Sequence, residues 1–303
     1  MRQLRKLVRR GWILPLVLGL APSQASPFAQ SAALALSPEQ VLPPIFSRLS
    51  RISTVYRQAV LRFSCREVIA QERIHIDSGA PRAVQEAAYN YLLQSSPGQA
   101  QVTEYRRVES RNGIPVRPSP AVVQTFIPPP FLWATLFDAL NAPLFNFQIL
   151  GRERHGLIET IVIGFEGLKI HDQGYGLAEW SGRIWIDRDR LNPVKVEAEP
   201  ARQAIRLKLE LDRFRRAFRI AGIPLRSRPR AYRLSVDFLV SRFGLSFPST
   251  TTWRRQVVDL QGERHTEQTL RRQFSDYRFF DIQTDEIVQA LKEISGSNGS
   301  PAD

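Results

Sequence analysis

Apolar and polar positions alternate with period two along most of the chain, the pattern of strands with one buried and one solvated face. The clearest unit is residues 179–199, EWSGRIWIDRDRLNPVKVEAE. Trp180, Gly182, Ile184 and Ile186 share one face of its first arm; Ser181, Arg183 and Asp187 share the other, and Trp185 is out of phase. A polar connection, RDRLNP, carries turn residues. Val194, Val196 and Ala198 then oppose Lys195, Glu197 and Glu199 in a second arm. The pattern predicts a β-hairpin.

The same alternation predicts strands over 60–76, 101–109, 144–153, 157–166, 204–214, 230–240, 244–260 and 264–280, with 87–93 ambiguous. In 60–76, Leu61, Phe63 and Cys65 share a face, and the phase changes near Glu67 as a bulge would cause. In 204–214, Ile205, Leu207, Leu209 and Leu211 alternate without error with Arg206, Lys208, Glu210 and Asp212. That alternation argues for a strand, although the residue types are helix formers. In 230–240, Tyr232, Leu234, Val236, Phe238 and Val240 share a face.

Three segments follow another rhythm. Ser37-Pro38-Glu39 reads as the N-cap and first turn of a helix, which Pro43-Pro44 interrupts or kinks before Ile45, Leu49, Ile52 and Tyr56 resume at helical spacing. Residues 114–130 hold six prolines and cannot form a central strand. Next, 131–142 (FLWATLFDALNA) reads as a helix that Phe131, Leu132, Trp133, Leu136, Phe137 and Leu140 make apolar over most of its circumference. Such a helix must be buried. It is either a core helix packed on the sheet or a lid over an apolar cavity, hinged by the prolines. A short helix follows at 285–294, then a disordered tail at 295–303.

About ten antiparallel strands, one N-terminal helix and one inserted apolar helix, without a βαβ rhythm, define an α+β, mainly β, chain. So many antiparallel strands in one sheet curl into a barrel or half-barrel. No linker divides 37–294, so it is a single domain.

Charge and cysteine change the picture at the N-terminus. MRQLRKLVRR is basic, Trp12–Ala21 is apolar, and Pro22-Ser23-Gln24-Ala25 offers small residues for cleavage after Ala25. Residues 1–25 therefore read as a signal peptide and 26–36 as a short leader. An uncleaved anchor is the alternative, although ten apolar residues are too few to span a bilayer. Net charge is +13, and the basic excess is almost all arginine. It clusters at 213–219, 226–233, 254–255 and 271–272, which read as solvated strand ends or as surfaces attracted to anionic headgroups or glycans. Nucleic acid, which basic and aromatic residues together can bind, is a partner an exported chain rarely meets. Cys65, the single cysteine, allows no internal disulfide and reads as a buried structural thiol.

Candidate chemistry is sparse. His75, His155, His171 and His265 lack zinc-site spacing, and no nucleophile elbow or phosphate loop occurs. His171-Asp172 and Gly174-Tyr175-Gly176 lie in a loop, and the acid pairs Glu197/Glu199 and Glu210/Asp212 sit on solvated faces. No catalytic residue, metal site or cofactor is assigned. A hydrolase would need acids that converge only in three dimensions.

The hairpin WSGRIWIDRDRLNPVKVE resembles the G-x-(I/V)-W-(I/V)-D … P-x-(K/R)-(V/I)-E hairpin of the bacterial periplasmic lipoprotein-carrier superfamily, the LolA/LolB-like fold. Phe165-Glu166-Gly167 before it and Gly244-Leu245-Ser246-Phe247-Pro248 after it agree in order. The resemblance implies an incomplete barrel with helices closing an apolar cavity. It also implies a periplasmic, non-enzymatic carrier whose partners are lipid acyl chains or lipidated protein, and the chain is expected to be a monomer. The cavity wall would then be Phe131, Trp133, Leu136, Phe137, Leu140, Trp180, Ile184, Ile186, Val194, Val196, Leu207, Leu209, Leu234, Val236 and Phe238. Burial of methylenes at about 0.8 kcal/mol each would need no polar machinery. The alternative is an envelope interaction or scaffold module with a packed core and no ligand.

Overall fold

The structure is a computed structural model that describes residues 38–294 apart from 61, 76–79, 96–101, 122–126, 169–175, 222–227, 281–286, 288 and 290. All described residues belong to one compact unit, Leu36–Asp303. The signal and leader segments, the Ser37 cap, Leu61, His171-Asp172, Arg226 and the tail at 295–303 lie outside the described residues. Among the described residues, no helix is long and apolar enough to cross a membrane.

Helix α1 (Pro38–Val55) opens the chain and ends in a single π-helical segment, Tyr56–Val60. Strands β1 (Arg62–Ile74), β2 (Pro81–Ser95), β3 (Val102–Arg111) and β4 (Ile114–Pro120) follow. Two 3-10 turns, Pro130–Thr135 and Ala142–Leu144, lead to β5 (Phe145–His155), β6 (Ile158–Gly167), β7 (Trp180–Asp187) and β8 (Pro193–Pro200). Helix α2 (Gln203–Ala221) precedes β9 (Arg230–Asp237), β10 (Val240–Arg242), β11 (Leu245–Phe247), β12 (Thr250–Val258) and β13 (Arg264–Phe279).

Eleven strands form one antiparallel sheet in the order β4-β3-β2-β1-β13-β12-β9-β8-β7-β6-β5, and β10 pairs β11 in a separate hairpin. The sheet is open, with β4 and β5 as its edges. Three prolines keep β4 at an edge, because proline has no N–H to donate to a ladder.

The sheet must curl, and the reason can be read from one short segment. Tyr91 of β2 stacks on Phe131 at 5.6 Å, and Phe165 of β6 meets Trp133 at 5.7 Å. In a flat sheet, β2 and β6 would stand seven strand spacings apart, roughly 34 Å. Phe131 and Trp133 are two residues apart on a 3-10 turn, about 4 Å along its axis. Only a sheet wrapped around that segment reaches it from both sides. The architecture is an incomplete barrel closed on its inner face by residues 127–144 and α1.

The hairpin β7–β8 forms as the alternation requires. Ile184 opposes Val196, and Gly182 opposes Ala198 at a point where any side chain would collide with the Glu197 carbonyl. The turn is held by Asp187, whose carboxylate accepts from the Asp189 N–H at 2.8 Å and the Arg190 N–H at 3.0 Å.

Several expectations need correction. Residues 204–214 are helical, within α2. Leu207, Leu211 and Phe214 lie at i, i+4 and i+7, a helical stripe concealed within the alternation, and the helix-forming residue types prevail. Residues 131–142 form 3-10 turns in place of one α-helix. Pro128–Pro130 pre-set the entry, and the Asp138 carboxylate accepts from the Leu140 and Asn141 N–H groups, drawing the chain into turns. Helix α1 runs through Pro43-Pro44 without a break. In β1 the phase does not change at Glu67: residues 63, 65, 67 and 69 are all buried. A charged residue occupies an inward position there, and the bulge lies on β13 beside Asp276, at φ 56°. Arg272 is fully buried and is no solvated strand end.

Candidate functional site

The inner face of the sheet carries one continuous apolar cluster. Trp180, Ile184, Ile186, Val196, Leu234, Val236 and Phe238 reach it from β7, β8, β9 and the residue after β9. Phe131, Trp133, Leu136 and Phe137 reach it from the inserted segment. Trp133 meets Trp180 edge-on at 6.3 Å, and Phe137 lies 5.0 Å from Phe147 of β5.

Four expected lining residues lie elsewhere. Leu140 is exposed at the end of the inserted segment. Val194 is the extra residue of a bulge and packs with Val162 and Trp185 in a separate cluster. Leu207 packs with Ala231 and Val258, and Leu209 is exposed; both follow from α2 being a helix. A second set comes from β1, β2, β11 and β13: Phe63, Tyr91, Phe274 and Tyr277 surround Phe131, and Phe247 and Phe279 pack on Phe63. Their signal was aromatic residues at inward positions of alternating strands.

The inserted segment has a polar side, which faces α1. Ser53 Oγ donates to the Ala134 carbonyl at 3.0 Å. Arg57 pairs with the Asp138 carboxylate and donates to Thr135 Oγ1 at 3.3 Å. Asn141 Nδ2 donates to the Thr135 carbonyl at 2.9 Å. Among the described residues, the backbone hydrogen bonds of 127–143 are all local. The segment is therefore joined to α1 by polar contacts and to the sheet by side-chain packing. Among the described residues, two buried donors in the apolar cluster, Trp133 Nε1 and Tyr56 Oη, have no hydrogen-bond partner.

Beside the rings, the inner face turns ionic. Glu67 on β1 accepts from Arg272 Nε of β13 at 2.6 Å and from Arg106 Nε of β3 at 2.7 Å. Glu104 accepts from Arg106 Nη2 at 3.1 Å and from the Tyr91 hydroxyl at 2.6 Å. Burial opposes the Arg106 charge, but Glu67 and Glu104 outweigh it and hold the guanidinium's pKa above its ordinary value. Burial likewise pushes the Tyr91 hydroxyl up, and Glu104 adds to that. The two carboxylates and two guanidinium groups balance in charge, while Arg272 Nη1 has no hydrogen-bond partner among the described residues.

Cys65 lies on the same face. Burial, with Glu67 adding to it, pushes the thiol well above its ordinary pKa, against the pull of Arg272 and Arg106. We expect no alkylation of Cys65 by iodoacetamide in the folded protein at pH 8, and full reaction in denaturant. Rapid native labelling, followed by mass spectrometry, would contradict this burial.

The remaining chemistry is superficial. Glu197 accepts from Lys195 Nζ at 2.8 Å and Arg233 Nη2 at 2.8 Å, and these contacts bring its pKa down although partial burial pushes it up. Asp259, Glu263 and His265 bring ligand atoms within 4.8 Å of one another, a grouping legible in the sequence only as D-x3-E-x-H. It is a turn with its own internal bonds. His265 hydrogen-bonds Asp259 at 2.9 Å and holds its carboxyl below the usual range, and Asp259 Oδ1 also accepts from the Glu263 N–H.

No family model and no curated protein matches the chain. Solved structures do. A LolA superfamily protein from Nitrosomonas europaea is 12% identical, matching 80% of this chain and 96% of that one with a TM-score of 0.34. A DUF1329 family protein from Desulfovibrio piger is 11% identical, over 82% and 99%, with a TM-score of 0.37. A putative outer membrane lipoprotein-sorting protein domain from Vibrio parahaemolyticus is 12% identical, over 84% and 100%, with a TM-score of 0.35.

Proposed function

We propose that this chain is a non-enzymatic binding protein that takes up an acyl chain, free or attached to a protein, on the inner face of its sheet. The observation that carries this is the attachment of residues 127–144. The segment fills the inner face with Phe131, Trp133, Leu136 and Phe137, yet it is bonded to α1 and joins no strand ladder before its last residue. It can leave the sheet without breaking strand pairing, by giving up its polar contacts to α1.

The magnitudes permit such an exchange. Exposing four large apolar side chains costs roughly 6–12 kcal/mol. A sixteen-carbon chain entering in their place returns about 12 kcal/mol, at about 0.8 kcal/mol per methylene. Trp133 Nε1 and Tyr56 Oη, both buried without a partner among the described residues, offer donors to a carboxyl or ester oxygen.

The test is native mass spectrometry of the chain purified from membranes, together with titration by a fluorescent fatty acid. We expect a co-purifying lipid, or saturable uptake of the probe that Trp180→Ala or Phe131→Asp alters. No lipid and no uptake would reject the proposal. They would favour the second reading, an interaction module with a packed core. That reading draws on the near-zero exposure of Phe63, Tyr91, Trp133, Val196, Leu234 and Phe247.

A further inference from the structure

Helix α2 is a separate feature that acyl uptake does not use. One side fastens it to the domain. Leu207 and Phe214 are buried, and the Gln203 side chain both donates to and accepts from the Tyr232 backbone. Arg215 Nε donates to the Leu260 carbonyl at 2.8 Å in the β12–β13 turn. The helix is thus held as a rigid ridge.

Its other side has no cover. Ile205, Leu209 and Ile220 are 61%, 56% and 86% exposed. At about 100° per residue they fall within roughly 60° of one another around the axis. Arg216 lies within that stripe, Arg213 flanks it on one side, and Lys208 and Arg219 flank it on the other, with Asp212 the one acid on this side. Among the described residues, Lys208, Arg213 and Arg219 have no carboxylate partner, and Arg216 donates only to the Asp212 carbonyl. The helix carries six basic and two acidic residues, a net charge of +4.

We propose that α2 docks this protein on a bilayer surface containing anionic phospholipid. The mixture of side chains selects that occupant. A soluble polyanion would use the cations and leave three large aliphatic side chains in water. A protein partner would have to accommodate a guanidinium inside its apolar contact. The headgroup region of a bilayer takes both: aliphatic side chains sink to the acyl boundary, while the Arg and Lys stems follow them and keep their charges at the phosphates.

The experiment is co-sedimentation of the full chain with phosphatidylcholine vesicles, with and without phosphatidylglycerol, at low and high salt. Binding should require phosphatidylglycerol and weaken with salt. Each cation removed should weaken it about fivefold, so that Arg213→Gln/Arg216→Gln/Arg219→Gln loses on the order of a hundredfold. Ile205→Ser/Leu209→Ser/Ile220→Ser should lose at least about tenfold, given the apolar area withdrawn. Because all six positions are exposed, both variants should melt close to the parent chain. The basic segment before residue 37 is common to all three proteins, so differences among them report α2 alone. An arginine variant that binds like the parent overturns the proposal. So does an aliphatic variant with full affinity, which would indicate a bare polyanion site, and so does equal binding to phosphatidylcholine alone.

Discussion

Glu67→Gln is expected to destabilise the fold by about 3–5 kcal/mol, the usual consequence of removing one partner from a buried ion pair. The Glu67 side chain is fully buried and bonds two guanidinium groups, Arg272 and Arg106, which are themselves 0% and 5% exposed. Glutamine keeps the shape and loses the charge. Two buried cations would then share only Glu104, which is 3.1 Å from Arg106 and 3.9 Å from Arg272. The measurement is urea denaturation, read as a fall in midpoint with an unchanged slope. Glu104→Gln is the comparator. Its carboxylate is 18% exposed and has the longer ion-pair contacts, so about half the loss is expected. Equal losses for the two variants, or none for Glu67→Gln, would show that the cluster is not the anchor described.

The double variant Glu67→Gln/Arg272→Met separates two meanings of that cost. If the penalty comes mainly from an uncompensated buried charge, removing Arg272 as well should restore part of the stability. If the cluster instead sets register, the double variant should lose cooperativity as well. Glu67 on β1 joins Arg106 of β3, beyond β2, to Arg272 of β13, and so it reports the β1–β13 pairing, which no local hairpin enforces.

How far the sequence reveals this arrangement depends on what each residue competes with. The 180–199 hairpin is legible because its alternation, turn residues and Gly182 all point one way. The inward charges on β1, β3 and β13 are not legible, because an acid at an inward position looks like a change of phase. Glu67 becomes intelligible only once Arg106 and Arg272 arrive from strands far away in sequence. In 204–214, strand and helix templates fit the same leucines. Exposure of Ile205 and Leu209 separates them, and exposure is a tertiary fact. Burial of the inserted segment follows from its composition. Its 3-10 form follows from Asp138 and Asn141, whose side chains take the backbone bonds that a regular helix would have used.

Asp138→Ala should produce a loss of similar size with a different distribution. It leaves Arg57, 10% exposed, with Thr135 Oγ1 as its remaining partner, and it removes the acceptor for two backbone N–H groups. We expect about 3–5 kcal/mol, concentrated in residues 127–144 and their junction with α1. Hydrogen exchange should therefore quicken in that segment while the amides of β1, β2 and β13 stay protected, whereas Glu67→Gln should loosen those strands first. The same variant bears on acyl uptake. If the segment must leave before a chain can enter, every 1.4 kcal/mol lost from its closed state tightens apparent binding about tenfold, until the open state predominates. A loss of 3 kcal/mol would then strengthen fatty-acid binding roughly a hundredfold. Faster exchange at 127–144 with unchanged probe affinity would mean that the segment is part of a permanent core, and that the inner face is not where a ligand goes.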